Sequence, residues 1–405
     1  MSMSSQASNE AVAPVPAFLS YGFRPFFLLG ALFGVAMLGL WVPWYLGIIS
    51  LPSQFSPTVW HAHELLFGFV PAIIAGFLLT AVSNWTSRPP INGQRLAGLV
   101  AFWLIGRLAV SMSRDINELI VAGASLLFPL ALTLVLTREI TAAGNKRNLK
   151  VAALVGSLAV TDAMFHYEAW LTGRAKLSIA LAISLVLILL MVIAGRIIPS
   201  FTSNWLKANR PGPLPREFGL FDLVTNALSV VALGAWVASK MIDTTPVIST
   251  SIAILMIAAA AANVTRQSRW QPLRTFHEPL VTILHIAYLF IPIGFALIGV
   301  AIPLDEPGLE TAGLHAWTTG AFAIMMLAMM TRVSRGHTGN KLTAPLGTSV
   351  IYACIVLAAL IRIAASLMPE KTLVLIPVAG LLWIAAFLGF ALLYGHMLLT
   401  PRRMK

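Results

Sequence analysis

Long apolar stretches separated by short polar segments run along almost the whole chain. An α-helix needs about 20 mostly apolar residues to cross a hydrocarbon core of roughly 30 Å. Twelve stretches qualify, at approximately 26–46, 63–82, 96–112, 117–137, 149–171, 177–198, 220–239, 246–264, 279–302, 311–331, 346–367 and 372–398. Inside lipid every backbone polar group must find its partner within the protein, which leaves helices as the reading for runs of this length. The pattern therefore predicts an all-α fold, a polytopic transmembrane bundle of about twelve spans. The third stretch is short, and a tight loop joins it to the fourth. Residues 1–20 are polar, small and proline-containing, with no basic n-region. They read as a disordered cytoplasmic tail ahead of one transmembrane domain, 21–405. The longest inner loop, about 199–219, is proline-rich and too short to bury a core of its own.

Composition agrees with this picture. Of 405 residues, 58% are hydrophobic and 10% are charged, against about 25% charged in ordinary soluble domains. Mean hydropathy is +0.85. A soluble enzyme and a disordered chain are both excluded. The single cysteine, Cys354, excludes a disulfide framework, a thiolate zinc site and a cysteine-ligated iron–sulfur cluster.

The net charge of +12 raises the question of nucleic acid. With the N-terminus inside, seven of the 27 basic residues fall at or near outer segments: Arg107, Arg114, Arg174, Lys176, Lys240, Arg362 and Lys371. The other 20 fall inside. This asymmetry predicts that both termini are cytoplasmic. The excess is spread over many short segments, whereas a nucleic-acid surface concentrates it on one face. The partner implied is the lipid bilayer, not nucleic acid. Arg24 reads as an interfacial anchor of the first helix.

Ionisable groups within spans are costly unless paired or ligating, and they mark function by default. Eight histidines carry most of this signal. His61, His63, His166 and His315 fall at outer span ends, and their common depth groups them as candidate metal ligands. In Trp60-His61-Ala62-His63-Glu64 the two imidazoles lie about 200° apart if the helix is regular, at 100° per residue. One can then ligate inside the bundle while the other meets a second metal or a cavity. In an extended segment both project to one side. Glu64 suits a helix start and can orient an imidazole as a carboxylate partner. The competing interpretation is that these are interfacial histidines wetted by headgroups. His285 lies about six residues inside its span, roughly 9 Å along the axis. Tyr288, one turn on, is its candidate partner; a metal and an interhelical hydrogen bond are both open there. Met325, Met326, Met329 and Met330 suit Cu(I) as thioethers and equally suit a packed core. The basic, glycine-containing segment 331–341 places Arg332, Arg335 and His337 at the inner face, where a carboxylate or haem propionate can be gripped. It also satisfies the topology rule with no further role.

Several long motifs occur in a fixed order. They are GFRPFF at 22–27, WHAHELLFGF at 60–69, GFLLTAVSNWTSRPP at 76–90, GRIIPSFTSNWL at 195–206, ILHIAYLF at 283–290, and HAWTTGAF followed by MMTRVSRGHTGN between 315 and 340. Through them the chain resembles the NnrS family of polytopic membrane proteins linked to the bacterial response to nitric oxide. The resemblance implies twelve spans in the bacterial inner membrane, bound haem and copper, nitric oxide as a small-molecule ligand, and protection from nitrosative stress, as in denitrification. It assigns no histidine to a particular metal.

Three function classes remain distinct: a redox enzyme at the outer histidines, a transporter of a metal or small solute, and a sensor without turnover. A redox site predicts histidines converging on a closed pocket. Transport predicts a central polar cavity, with Asn84, Asp162, Asp222 and Asn226 as candidate lining. No phosphate loop, dinucleotide fingerprint or HExxH occurs, so ATP-driven pumping, nicotinamide chemistry and a zincin are unsupported.

Overall fold

A computed structural model describes residues 15–401, and the first 14 residues of the expected tail lie outside them. Among the described residues, twelve helices are long and apolar enough to span a membrane. They are α1 (Phe23–Tyr45), α2 (Pro57–Thr86), α3 (Gly93–Ser111), α4 (Glu118–Ala142), α5 (Lys146–Thr172), α6 (Lys176–Asn209), α7 (Leu220–Ala238), α8 (Pro246–Arg274), α9 (Pro279–Leu304), α10 (Pro307–His337), α11 (Leu346–Leu367) and α12 (Pro369–Leu399). Each expected stretch falls on one of them, and the described residues contain no strand.

Local chemistry sets the helix ends. Proline opens α2, α8, α9 and α10, where its missing N–H costs nothing. Asn117 and Glu278 accept from backbone N–H groups of Leu119 and Leu280. Gly173, at φ +68°, ends α5 in the left-handed conformation. The start of α2 lies earlier than the hydropathy suggests, so His61 and His63 sit within its second turn. The start of α10 is also earlier, and His315 lies about two turns in.

The last turns of α10 reach His337, so the expected basic loop from 331 is helical through that residue. The expected tail also ends sooner. Ala17–Leu19 form a 3-10 turn, because Leu19 packs among the apolar side chains of α1–α4.

α2 and α10 are the innermost helices, each with 78% of its apolar window buried. Outward-facing leucines such as Leu119, Leu134, Leu220 and Leu392 form part of the lipid-facing surface. α1 packs along α12. Arg24 corrects its reading as an interfacial anchor: it is 3% exposed. Its Nη1 donates to the carbonyls of Met397, Leu398 and Thr400 at 3.3, 3.0 and 2.6 Å. These include orphan acceptors at the C-terminal end of α12, so one guanidinium ties the first span to the last.

Both inner helices widen into π turns just after a histidine, at Glu64–Phe69 in α2 and Ala316–Ala323 in α10. Such turns are rare and recur at functional sites. In α2, Pro71 follows the π turn and cannot donate to the carbonyl of Phe67, four residues back. In α10 the turn lies where Gly320 lets Phe290 of α9 approach; a Cβ there would come within 2.5 Å of that ring.

Candidate functional site

α2 remains regular through His63 before it widens, so the two histidines of the HxH motif diverge. His63 faces α5 and His61 faces α1. They belong to two separate sites.

The first site gathers side chains from α2, α3, α4 and α5. His63 is fully buried, with Nδ1 3.0 Å from Glu64 Oε1 and Nε2 3.1 Å from Asp162 Oδ1. His166 lies one turn beyond Asp162 on the same face of α5. Its Nε2 is 3.6 Å from that same Oδ1, beyond hydrogen-bond length. It is buried and has no hydrogen-bond partner. Arg107 of α3 donates to Glu64 Oε1 at 2.7 Å and to Ser125 Oγ at 3.2 Å. Ser125 in turn donates to Asp162 Oδ2 at 3.0 Å.

Gly68 admits the arginine, because a Cβ there would stand 2.8 Å from Nη1. Its carbonyl, within the π turn, accepts from Trp103 Nε1 at 2.9 Å. Phe55, Phe67 and Phe165 wall the pocket, with ring centroids 5.8, 5.4 and 5.0 Å from that of His63.

Two features of this site fit a cation. One donor atom from each of His63, Asp162 and His166 lies within 4.8 Å of the others, the only such group among the described residues. Two imidazoles and one carboxylate form a donor set suited to iron, copper or zinc. The two carboxyl groups of Glu64 and Asp162 also face only the single guanidinium of Arg107. A buried excess of this kind needs a proton on an imidazole or a bound cation. Glu64 stands where a carboxylate orients a metal-binding histidine.

The second site lies on the other side of α2. His61 stacks on Trp41 of α1, with centroids 3.9 Å apart and planes at 23°. Its Nδ1 is buried without a partner. His61 and His315 line one small cavity, together with Arg362 of α11 and Trp383 of α12. His315 Nδ1 is 2.8 Å from the carbonyl of Thr311. A carbonyl can only accept, so Nδ1 carries the proton and Nε2 is left as an acceptor. Arg362 Nη1 donates to Ser366 Oγ at 3.0 Å.

His61, His63, His315 and His166, grouped in the sequence by their depth, fall into two pairs, as the divergence of the HxH motif allowed. α2 and α10 are neighbours as required, but only His61 shares a cavity with His315. His285 stands apart from both, with Nε2 2.9 Å from Thr202 Oγ1 of α6. Tyr288 is not its partner: its hydroxyl donates to Asn263 Oδ1 at 2.7 Å and accepts from Arg266 Nη1 at 3.1 Å. At the end of α10, Arg332 lies 3.8 Å over the ring of Phe201 and Arg335 Nε donates to the carbonyl of Lys341 at 2.7 Å. His337 packs near the rings of Tyr21 and Phe23. These three side chains are engaged in different directions.

Sequence reasoning missed Asp162 as a candidate ligand, although Asp162 and His166 stand at i and i+4. It also counted Arg107 and Arg362 only toward topology, where a charge within an apolar stretch was already a signal. The polar residues proposed for a transport cavity do not meet. Asn84 is exposed and Asp162 belongs to the first site. Asp222 and Asn226 accept from Arg266 at 2.9 and 2.8 Å in a separate buried network.

No curated protein matches the chain. A family model described as NnrS protein matches residues 17–402, a stretch that takes in all twelve spans and both histidine sites, and the chain belongs to that family.

Proposed function

We propose that this protein binds haem and copper within the bacterial inner membrane, with both termini cytoplasmic, and acts in the response to nitric oxide and nitrosative stress. One observation carries the reading: the buried, unpartnered Nε2 of His166 converges with His63 and Asp162. Family membership supports the connection to nitric oxide.

The first site suits a single copper ion because its donors are close together and its walls are tight. The second suits haem, since it offers two imidazoles, flat aromatic walls and a guanidinium for a propionate. Bound there, iron or copper would supply the affinity for a diatomic ligand. The chain's own residues prepare these sites. Glu64 accepts from Nδ1 of His63 and turns Nε2 toward Asp162 Oδ1, where a bound metal would take the place of the Nε2 proton. Arg107 fixes Glu64 directly, and through Ser125 it orients Asp162 by Oδ2, leaving Oδ1 toward the histidines. The phenylalanine walls exclude water. Trp41 fixes the ring plane of His61.

Metal analysis and optical spectra of purified protein, oxidised and reduced, with and without nitric oxide, test this. Wild-type protein should carry both cofactors, with a haem spectrum that shifts on addition of nitric oxide. His63→Ala and His166→Ala should lower copper, and His61→Ala and His315→Ala should lower haem. Full retention of both cofactors in all four variants would overturn the proposal.

A further inference from the structure

We infer that small uncharged gas molecules reach the first site from within the bilayer by an apolar path gated at Ile74. The inference rests on the reading that the His63–Asp162–His166 cluster holds a metal.

Between α2 and α6 lies an open recess, roofed by Met325, Met326 and Met329 of α10. No polar side chain lines it. Its rim residues Ile74, Phe77 and Ile193 are partly exposed, on helices whose outer faces are apolar. Behind Ile74 is a second chamber, with room for one small molecule, between α2, α4 and α5. Phe67, Pro129 and Leu158 are among its walls, and Asp162 is its one polar lining residue. Ile74 lines both spaces. Phe67 also packs on the ring of His63. The two spaces therefore form a sequence that ends on the carboxylate shared by His63 and His166.

The chemistry of the lining selects what can pass. A hydrogen-bonding or charged solute would lose its water shell with nothing to replace it, at a cost of several kcal/mol. A diatomic gas such as nitric oxide, carbon monoxide or oxygen has no such shell to lose. A lipid chain fits the open recess, but the Ile74 side chain stands between it and the chamber.

Xenon reports the cavities without any metal, and rapid mixing with nitric oxide reports the path to the metal. In xenon-pressurised crystals of the full chain, atoms should occupy both recess and chamber. Ile74→Trp should empty the chamber. In metal-loaded protein in nanodiscs, Ile74→Trp should slow nitric oxide association several-fold, with metal content and final spectrum unchanged. Leu158→Phe, which fills the chamber from α5, should slow it likewise and guards against misfolding of the first variant. Unchanged nitric oxide association with the chamber filled would overturn the path, as would a lipid chain that excludes xenon from the recess. Xenon in both spaces of a wild-type protein that binds no nitric oxide would support the gas path while refuting the functional proposal.

Discussion

Replacing Arg107 with methionine removes the one guanidinium from a pocket that also holds Glu64 and Asp162, both at most 1% exposed. The stem of the side chain, which packs beside Gly68, is largely kept. Glu64 Oε1 then loses its 2.7 Å partner, and Ser125, which orients Asp162, loses its own. Breaking a buried ion pair from one side costs about 3–5 kcal/mol, because the remaining charge stays desolvated. At 1.36 kcal/mol per tenfold, that is roughly two to four orders of magnitude in the folding equilibrium. Glu64→Gln alone should also destabilise, since it leaves Arg107 unpaired. The double variant removes one charge of each sign and should recover part of the loss, with a coupling of about 0.5–3 kcal/mol as for groups in one network. Unfolding of detergent-solubilised protein by a denaturant series reads all four corners of this cycle. The reasoning fails if Arg107→Met is as stable as wild type, or if the two losses simply add.

Other consequences follow from contacts elsewhere. Arg24→Ala strips the donor from carbonyls at the end of α12 and should cost about 1–3 kcal/mol, read as a lowered unfolding midpoint. Arg24→Lys should restore only part of it, since a single ammonium must serve all three. Gly195→Ala places a methyl group against the guanidinium of Arg266, which is buried and bonded to Asp222 and Asn226. It should destabilise by about 1–3 kcal/mol, and unchanged stability would show that the Arg266 network yields freely. Single cysteines at Lys240 and Lys341, in a Cys354→Ser background, should be labelled from opposite sides of the membrane. Labelling from one side would remove a span between them.

The spans were legible because a bilayer imposes one length and one composition on every crossing. The sites were only half legible. The 200° divergence of His61 and His63 already allowed two separate sites, and the choice depended on whether the start of α2 is helical. The common depth of four histidines grouped them, but depth contains no angular information, and the faces of α2 and α5 divided them. The π turns after His63 and His315 leave no hydropathy signal, since they change which carbonyl each N–H meets and not which residues are apolar. Arg24, Arg107 and Arg362 were absorbed into a charge count that explained them too readily. Asp162 and His166 show the complementary error: their one-turn spacing within a span was visible, but a carboxylate was weighed only as cavity lining. His285 and Tyr288 share a helix face by spacing, and their partners nevertheless come from different neighbouring helices.

The central claim is that His63, Asp162 and His166 together hold a metal ion. Anomalous-scattering maps of crystals grown from protein purified with its metal content intact, collected on both sides of the copper absorption edge, test it most directly. The account predicts a copper peak between His63 Nε2, His166 Nε2 and Asp162 Oδ1, at about 2.0–2.2 Å from each as in comparable nitrogen and oxygen coordination. A stoichiometric metal located elsewhere, with His63 Nε2 still bonded to Asp162 and no peak at the cluster, would contradict it.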